Sequence, residues 1–493
     1  MGNIRKQAIT SSLLVYIGFF IGAVNTYLYV KDGHFTAEQF ALTRIFFDIG
    51  QNFFVFASLG VIPIILKFYP YYKSNLLDKQ NDLLTWSLVA SCMGFLLLLI
   101  VGFLIEPLVV KKFTAKSELI VDYYHFIFLF TLGMLFFSVL EAYAWVLQKS
   151  IVPNFLKETG LRLLTLVFIL LYYFKYISYH SFIVLFSCLF IVMALVLMGY
   201  LFYLNKLHFA FKISKVSKRF AKQIISMQAL IFGGMIVQAL GQTMDSIFIA
   251  SIKGLGFAGV YTLALYAANF IQVPQRSIQS ISTGIISQAW KDKNFAEIQR
   301  IYQRSSINML LAGFFIFGNL LLNISTLFNL LHVQEAYDAA INIFIILGIV
   351  RIIDGGTGIS GTIIATSNFW KFDFFCGVVM LAIRLPLTYI FVKKFGMIGA
   401  AYSELIGYSI YNFIRFEFLR RKFNMQPFNM KTVWSICSVI CIYAVVYFIS
   451  KPLAGWTSVL VRSVGFSTFF ILAIIYLQLT PDANQLLSKI RKR

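Results

Sequence analysis

The sequence predicts an all-α polytopic membrane protein with about fourteen transmembrane helices, each an apolar stretch of about 20 residues. Three observations carry this expectation. Of 493 residues, 59% are hydrophobic and only 13% charged, with 53 phenylalanines and a mean hydropathy of +0.80. A soluble chain of this size needs far more charge to cover its surface, whereas a bilayer accepts outward-facing Leu, Ile, Val and Phe. The apolar stretches are joined by connections of at most about 20 residues, too short to fold as separate domains. Any function therefore lies in the helices and their rims, and no catalytic or ATP-binding domain is expected.

The first stretch, QAITSSLLVYIGFFIGAVNTYLYV, follows Arg5 and Lys6. It is too long for a signal-peptide core and lacks a small-x-small cleavage site, so it reads as a retained span. MGNIRK opens suitably for myristoylation but has Lys6 where Ser or Thr is needed.

The net charge of +22 raises the question of nucleic acid, and position argues against it. With a cytoplasmic N-terminus, about 27 Lys and Arg fall in cytoplasmic segments and about 9 outside, the bias that orients membrane helices. Both termini are then cytoplasmic. The densest cluster, NKLHFAFKISKVSKRFAK at 205–222, reads as a cytoplasmic linker touching anionic lipid headgroups. Membrane lipids, and not nucleic acid, are its expected partners. The five cysteines all fall in predicted spans, and Cys437 and Cys441, though on one helix face, have no His, Asp or Glu nearby to complete a metal site.

The linker divides the chain into an N-terminal lobe of six spans (1–204), the linker (205–222), a second six-span lobe (223–420) and two further spans with a basic tail (421–493). KQAITSSLLVYIGFF and KQIISMQALIFGGMI open the two lobes alike, placing Gly18 opposite Gly234. Transporters built of parallel repeats carry such internal likeness.

Charges inside the spans need a reason, because one at mid-bilayer costs about 2.5–3.5 kcal/mol even on the lenient insertion scale. The candidates include Arg44 with Asp48, Glu141, Asp245, Arg276, Arg351 with Asp354, Arg384 and Glu404, and nearer a rim Arg415 and Arg462. Arg44 and Asp48 are four apart and Arg351 and Asp354 three apart, so each pair shares a helix face and can close an internal ion pair. Such pairs either lock helices together or face a cargo path. Gln238, Gln242 and Asp245 follow helical spacing and form one polar face, suited to a cavity wall or to hydrogen bonds between helices. His125 could carry protons, but with no clear partner it reads first as a packing histidine.

The stretch RIIDGGTGISG (351–361) contains a Gly-x-Gly-x-x-Gly spacing. A dinucleotide loop needs a strand before it and an acidic residue about 20 positions on, and neither is convincing. Gly355, Gly356, Gly358 and Gly361 instead mark either a helix break beside a watery cavity or close helix packing. Pro274 and Pro386 are the other candidate interruptions or hinges.

Residues 245–290 carry a resemblance. Asp245, then Gly259, Tyr261 and Ala264 as Gly-x-Tyr-x-x-Ala, then Pro274, resemble the start of the C-terminal lobe in the polysaccharide (O-antigen type) flippases of the multidrug/oligosaccharidyl-lipid/polysaccharide exporter superfamily. The first 60 residues look similar too, with EQFALTR and an early Arg in the second span. The resemblance implies a MATE-like fold of two six-helix lobes in a V, plus two C-terminal helices, in the bacterial cytoplasmic membrane. It implies a cargo of oligosaccharide carried on undecaprenyl diphosphate, with polysaccharide assembly proteins as neighbours.

A diphosphate calls for forked, permanently charged donors, so Arg44, Arg276, Arg351 and Arg384 are the expected substrate residues, with Gln238 and Gln242 meeting sugar hydroxyls. Asp245, Asp48, Asp354 and Glu141 are expected to pair charge or coordinate a coupling ion, Na+ or H+; no other cofactor, and no metal, is expected. A multidrug or other small-molecule exporter of the same fold, and a peptidoglycan lipid-precursor flippase, are the rival readings. A glycan ligase, polymerase or glycosyltransferase is disfavoured, since the external loops KDGHFTAEQF and HVQEAYDAA are short and no acid-base or metal constellation is evident.

Overall fold

The computed structural model describes residues 17–482. The Lys6–Gln7 opening, the start of the first span and the basic C-terminal tail lie outside the described residues. Among the described residues the protein is helical throughout, with no β-strand. Ten helices among the described residues are long and apolar enough to cross a membrane, or eleven if one bent pair is counted as a single span. The shortfall from the expected number has physical causes. Ile17–Val30 is short in its described part, the helix Leu161–Tyr173 has only 13 residues, and Met397–Phe423 carries Glu404, Arg415, Glu417, Arg420, Arg421 and Lys422.

The chain folds as two compact units, 1–259 and 260–493. Unit 1 contains α1 (Ile17–Val30), α2 (Ala37–Ser58), α3 (Val61–Asn75), α4 (Leu83–Phe113), α5 (Tyr124–Val146), α6 (Leu161–Tyr173), α7 (Tyr179–Ser187), α8 (Leu189–Tyr203) and α9 (Lys215–Ile252). α2 starts at a capping box in which Thr36 Oγ1 accepts from Gln39 N and Gln39 Oε1 accepts from Thr36 N, closing orphan donors at both ends of the turn. It stops where Leu59 and Gly60 both take positive φ, 48° and 75°, and α3 leaves at a 46° bend.

α5 is the centre of the unit. Gly133 on α5 faces Ile191, where an added Cβ would lie 2.5 Å from the Ile191 nitrogen, and Gly94 on α4 faces α2, where a Cβ would lie 2.2 Å from the Ala57 carbonyl oxygen. Close approach through small residues replaces the hydrophobic drive that lipid does not supply. Phe130 fills the space beside it, with ring centroids 6.0 Å from Phe46 and 5.1 Å from Phe190.

The basic 205–222 segment is extended at first and then enters α9, a single helix of 38 residues. Ser214 caps it by accepting from Ser217 N. Asp82, fully buried, accepts from Ser214 N at 2.8 Å and from the Ser217 hydroxyl at 2.7 Å, fixing this helix start to the beginning of α4.

α10 (Leu255–Asn269) crosses the unit boundary. Unit 2 then holds α11 (Val273–Lys291), α12 (Phe295–Leu330), α13 (Ala339–Gly356), α14 (Ser360–Ala365), α15 (Trp370–Phe395), α16 (Met397–Phe423), α17 (Met430–Ser450) and α18 (Gly455–Tyr476). One apolar core gathers Ile298, Tyr302, Met309, Ile359 and Ile363. A second joins α12 to the final two helices through Phe314, Val439, Phe466 and Phe470; the Phe466 ring occupies the space over Gly318, 2.3 Å from where a Cβ would sit. α15 and α16 form a close hairpin, because Gly399 lets the Phe391 carbonyl oxygen come within 2.2 Å of the Cβ position.

Candidate functional site

The polar residues of unit 2 converge because of the periodicity of α16. Glu404, Tyr408, Tyr411, Asn412 and Arg415 recur at offsets of 0, 4, 7, 8 and 11, one face of a helix. The helices on either side answer this stripe in turn.

At its start lies a buried ion cluster. Arg351 Nη1 on α13 is 2.9 Å from Glu404 Oε1, and Arg384 Nη2 on α15 is 3.4 Å from Glu404 Oε2. The Tyr261 hydroxyl donates to Glu404 Oε2 at 3.1 Å. All three charged side chains are at most 6% exposed, so the cluster holds a formal charge of +1 away from water. Gly407, one turn on, gives the stem of Arg384 room, with Cδ 3.5 Å from its Cβ position. Tyr408 closes the cluster, its ring centre 5.7 Å from both guanidinium carbons, a cation–π arrangement that strengthens on desolvation.

The other side of Tyr408 faces a cavity of about 480 Å³ formed wholly by unit 2. Gln275, Gln279 and Thr283 line it from successive turns of α11. Asp354 enters from the end of α13, accepting from Gln275 Nε2 at 2.8 Å and Asn412 Nδ2 at 3.1 Å. At the far side Arg415 binds Asp373, with Nη2 to Oδ1 at 2.6 Å, and its guanidinium lies 3.8 Å from the Tyr411 ring centre. Gly361 makes this possible, since a Cβ there would lie 2.9 Å from Arg415 Cζ. The charged lining is thus Asp354, Asp373 and Arg415.

The RIIDGGTGISG stretch is where α13 stops. The helix ends at Gly356, Gly358 takes φ +69°, a region natural to glycine, and α14 begins at Ser360. Ser306 donates its hydroxyl to the Gly356 carbonyl, and Thr357 donates to the Asp354 carbonyl at 2.9 Å, so the freed backbone groups find side-chain partners. Gly355 and Gly356 are buried against Met309 and Leu310 of α12. No strand precedes the break, and the segment is not a dinucleotide loop.

Sequence spacing allows an Arg351–Asp354 ion pair, and the structure corrects it. Arg351 reaches Glu404, 53 residues away, while Asp354 turns to the amides of Gln275 and Asn412. Pro274 sits in the first turn of α11, after a short 3-10 turn at Phe270–Gln272, where a missing N–H costs nothing. Pro386 does not break α15, which runs unbroken from Trp370 to Phe395; its ring lies on an exposed face, where the lost donor and the bulk of the ring are easiest to accommodate.

Arg276 is exposed on α11 and off the cavity lining. The remaining predicted residues belong to unit 1. Arg44 is partly buried, 5.1 Å from the Phe40 ring and 5.9 Å from the Tyr29 ring. Asp48 lies near Ser246, Arg44 and Asp245, close enough for each to act on its carboxyl. Asn52 Nδ2 donates to Thr243 Oγ1 at 2.6 Å in the same layer. Asp245 is buried on α9, whereas Gln238 and Gln242 are exposed. Glu141 is buried on α5 and meets Lys157 at 2.9 Å, which stands in a π-helical turn at Leu156–Gly160. His125 pairs at the surface with Glu106, 3.2 Å away.

This arrangement of helices is known from solved structures. The chain matches a structure of the lipid II flippase MurJ, in an inward closed conformation, over 96% of this chain and 99% of that one, with a TM-score of 0.72 at 16% identity. An inward-facing multidrug resistance MATE transporter of the MOP superfamily matches over 85% and 98%, with a TM-score of 0.64 at 13% identity. A MOP superfamily transporter from Pyrococcus furiosus matches over 85% and 96%, at 0.56 and 13%. The fold is that of the MOP-superfamily transporters. No family model matches the chain, and no curated sequence matches it.

Proposed function

We propose that the protein is a flippase that carries undecaprenyl-diphosphate-linked oligosaccharide, the repeat unit of an O-antigen or other surface polysaccharide, across the bacterial cytoplasmic membrane by alternating access. The observation that carries this reading is a polar cavity set among membrane-spanning helices and backed by buried guanidiniums, in a fold shared with a lipid II flippase. Hydrocarbon excludes both the sugar hydroxyls and the diphosphate of such a cargo, so a path lined by donors and cations lowers the barrier to crossing. Arg44, Arg276, Arg351 and Arg384 are the proposed diphosphate residues, and Gln238 and Gln242 meet the glycan. Asp48 and Asp245 are the proposed seat of a coupling Na+ or H+, with Glu141 and Asp354 behind them. Transport leaves the cargo covalently unchanged. The protein works beside polysaccharide assembly proteins, with both termini in the cytoplasm.

The experiment is flipping of a fluorescent lipid-linked oligosaccharide in proteoliposomes, comparing wild type with Arg276→Ala and Arg351→Ala. Undiminished flipping by both variants removes these arginines from the mechanism. A second reading, export of a small organic cation, draws support from the cavity itself, whose two carboxylates and one guanidinium leave a formal charge of −1. Uptake of ethidium without flipping would establish that reading in place of the first.

A further inference from the structure

We infer that the unit 2 cavity is a binding site for the uncharged sugar part of the cargo, separate from the groups that hold the diphosphate. This rests on the flippase reading and refines it. The argument comes from which lining groups remain unengaged. Gln275 is 8% exposed, and its Nε2 is committed to Asp354, while its Oε1 has no partner among the described residues. Neither the Gln279 side-chain amide nor the Tyr408 and Tyr411 hydroxyls has a protein partner among the described residues.

These groups form a mixed set of neutral donors and acceptors. A sugar hydroxyl donates once and accepts twice, so it satisfies either kind. A diphosphate oxygen at neutral pH only accepts, and it would meet the unpaired Gln275 oxygen and two carboxylates. The one guanidinium of the lining, Arg415, is already bound to Asp373. A cation fits less well, because Gln275 and Asn412 already donate to the Asp354 carboxylate, and the lining adds donors that a cation cannot use. An orphaned buried acceptor costs free energy that a ligand hydroxyl recovers. The size suits the same cargo, since 480 Å³ lies within the range of small-ligand pockets, about 300–1,000 Å³. Tyr408 and Tyr411 are also part of the lining, and a tyrosine joins an apolar ring to a polar tip, a combination suited to the alternating faces of a pyranose.

The test uses the full chain in nanodiscs and three probes: oligosaccharide released by mild acid from the lipid-linked pool of the source cells, inorganic pyrophosphate, and tetraphenylphosphonium. Binding is read by saturation-transfer NMR for wild type, Gln279→Leu and Thr283→Val, with thermal unfolding confirming that each variant is folded. The expected result is that the phosphate-free oligosaccharide binds and that Gln279→Leu weakens it about tenfold, the loss of one well-made hydrogen bond, while pyrophosphate binding is unchanged. Oligosaccharide binding that is equal in wild type and both variants overturns this site but leaves the flippase reading standing. Loss of pyrophosphate affinity in Gln279→Leu also overturns it, by placing the diphosphate here. Binding of tetraphenylphosphonium alone, weakened by the variants, overturns both.

Discussion

Replacing Glu404 with Gln isolates the energetics of the buried cluster. The carboxylate lies between Arg351 and Arg384, at 2.9 and 3.4 Å, and all three side chains are almost wholly removed from water. Removing its charge raises the cluster from +1 to +2 without changing its shape. Breaking a buried pair from one side costs about 3–5 kcal/mol, because an uncompensated charge is left behind, so Glu404→Gln is expected to lower the unfolding free energy by about that much. Tyr261→Phe removes one hydrogen bond to the same carboxylate, worth about 1.5–3 kcal/mol, and should cost less. Adding Arg384→Gln to Glu404→Gln returns the cluster to +1 and should recover part of the loss. Equilibrium unfolding in detergent reads all four proteins. If the double variant is no more stable than Glu404→Gln, or if Glu404→Gln costs less than Tyr261→Phe, charge balance is not what holds this cluster together.

Two further outcomes follow from named contacts. Gly94→Ala places a methyl 2.2 Å from the Ala57 carbonyl oxygen, which backbone cannot relieve; overpacking of this kind costs about 1–3 kcal/mol, and a lowered melting temperature with retained helicity by circular dichroism is expected. Asp482, outside the spans, accepts from Arg304 and, at 2.7 Å, from Asn308, and the Arg304 hydrogen bond holds its carboxyl below the usual range. A depressed folded pKa contributes stability that is fully present above the unfolded value of about 4 and is lost as pH falls through the folded one. Asp482→Asn should therefore melt below wild type at pH 7, with the gap closing towards pH 3; a gap independent of pH would show that this ion pair contributes nothing.

Much of the fold is legible in the sequence because a bilayer imposes length and apolarity on each span, and those are properties of sequence alone. The cost of buried charge likewise points to Arg351, Arg384, Asp245 and Glu141, all of which are buried. Partner choice is not legible. Spacing places Asp354 within reach of Arg351, but whether the two meet depends on where α13 ends and on which groups α16 presents, and a helix 50 residues later supplies the better anion. The α16 stripe of Glu404, Tyr408, Asn412 and Arg415 is the available signal: Glu404 and Arg415 stand out as isolated charges, while the tyrosines and the asparagine between them carry no charge to mark them. Gln238 and Gln242 keep their regular spacing on α9 and both side chains are exposed, so spacing marks a polar face without saying what it meets.

The length of α9 has a mechanical meaning. Thirty-eight residues at about 1.5 Å each make a rod of roughly 57 Å, nearly twice the hydrocarbon thickness of about 30 Å. A rod that long must jut from the bilayer unless it lies steeply oblique, and its opening turns bear Lys215, Lys218, Arg219 and Lys222. Because no break interrupts it, those four cations and the buried Thr243, Asp245 and Ser246 near its opposite end belong to one continuous helix, so the two ends are coupled through a single element and not through a hinge.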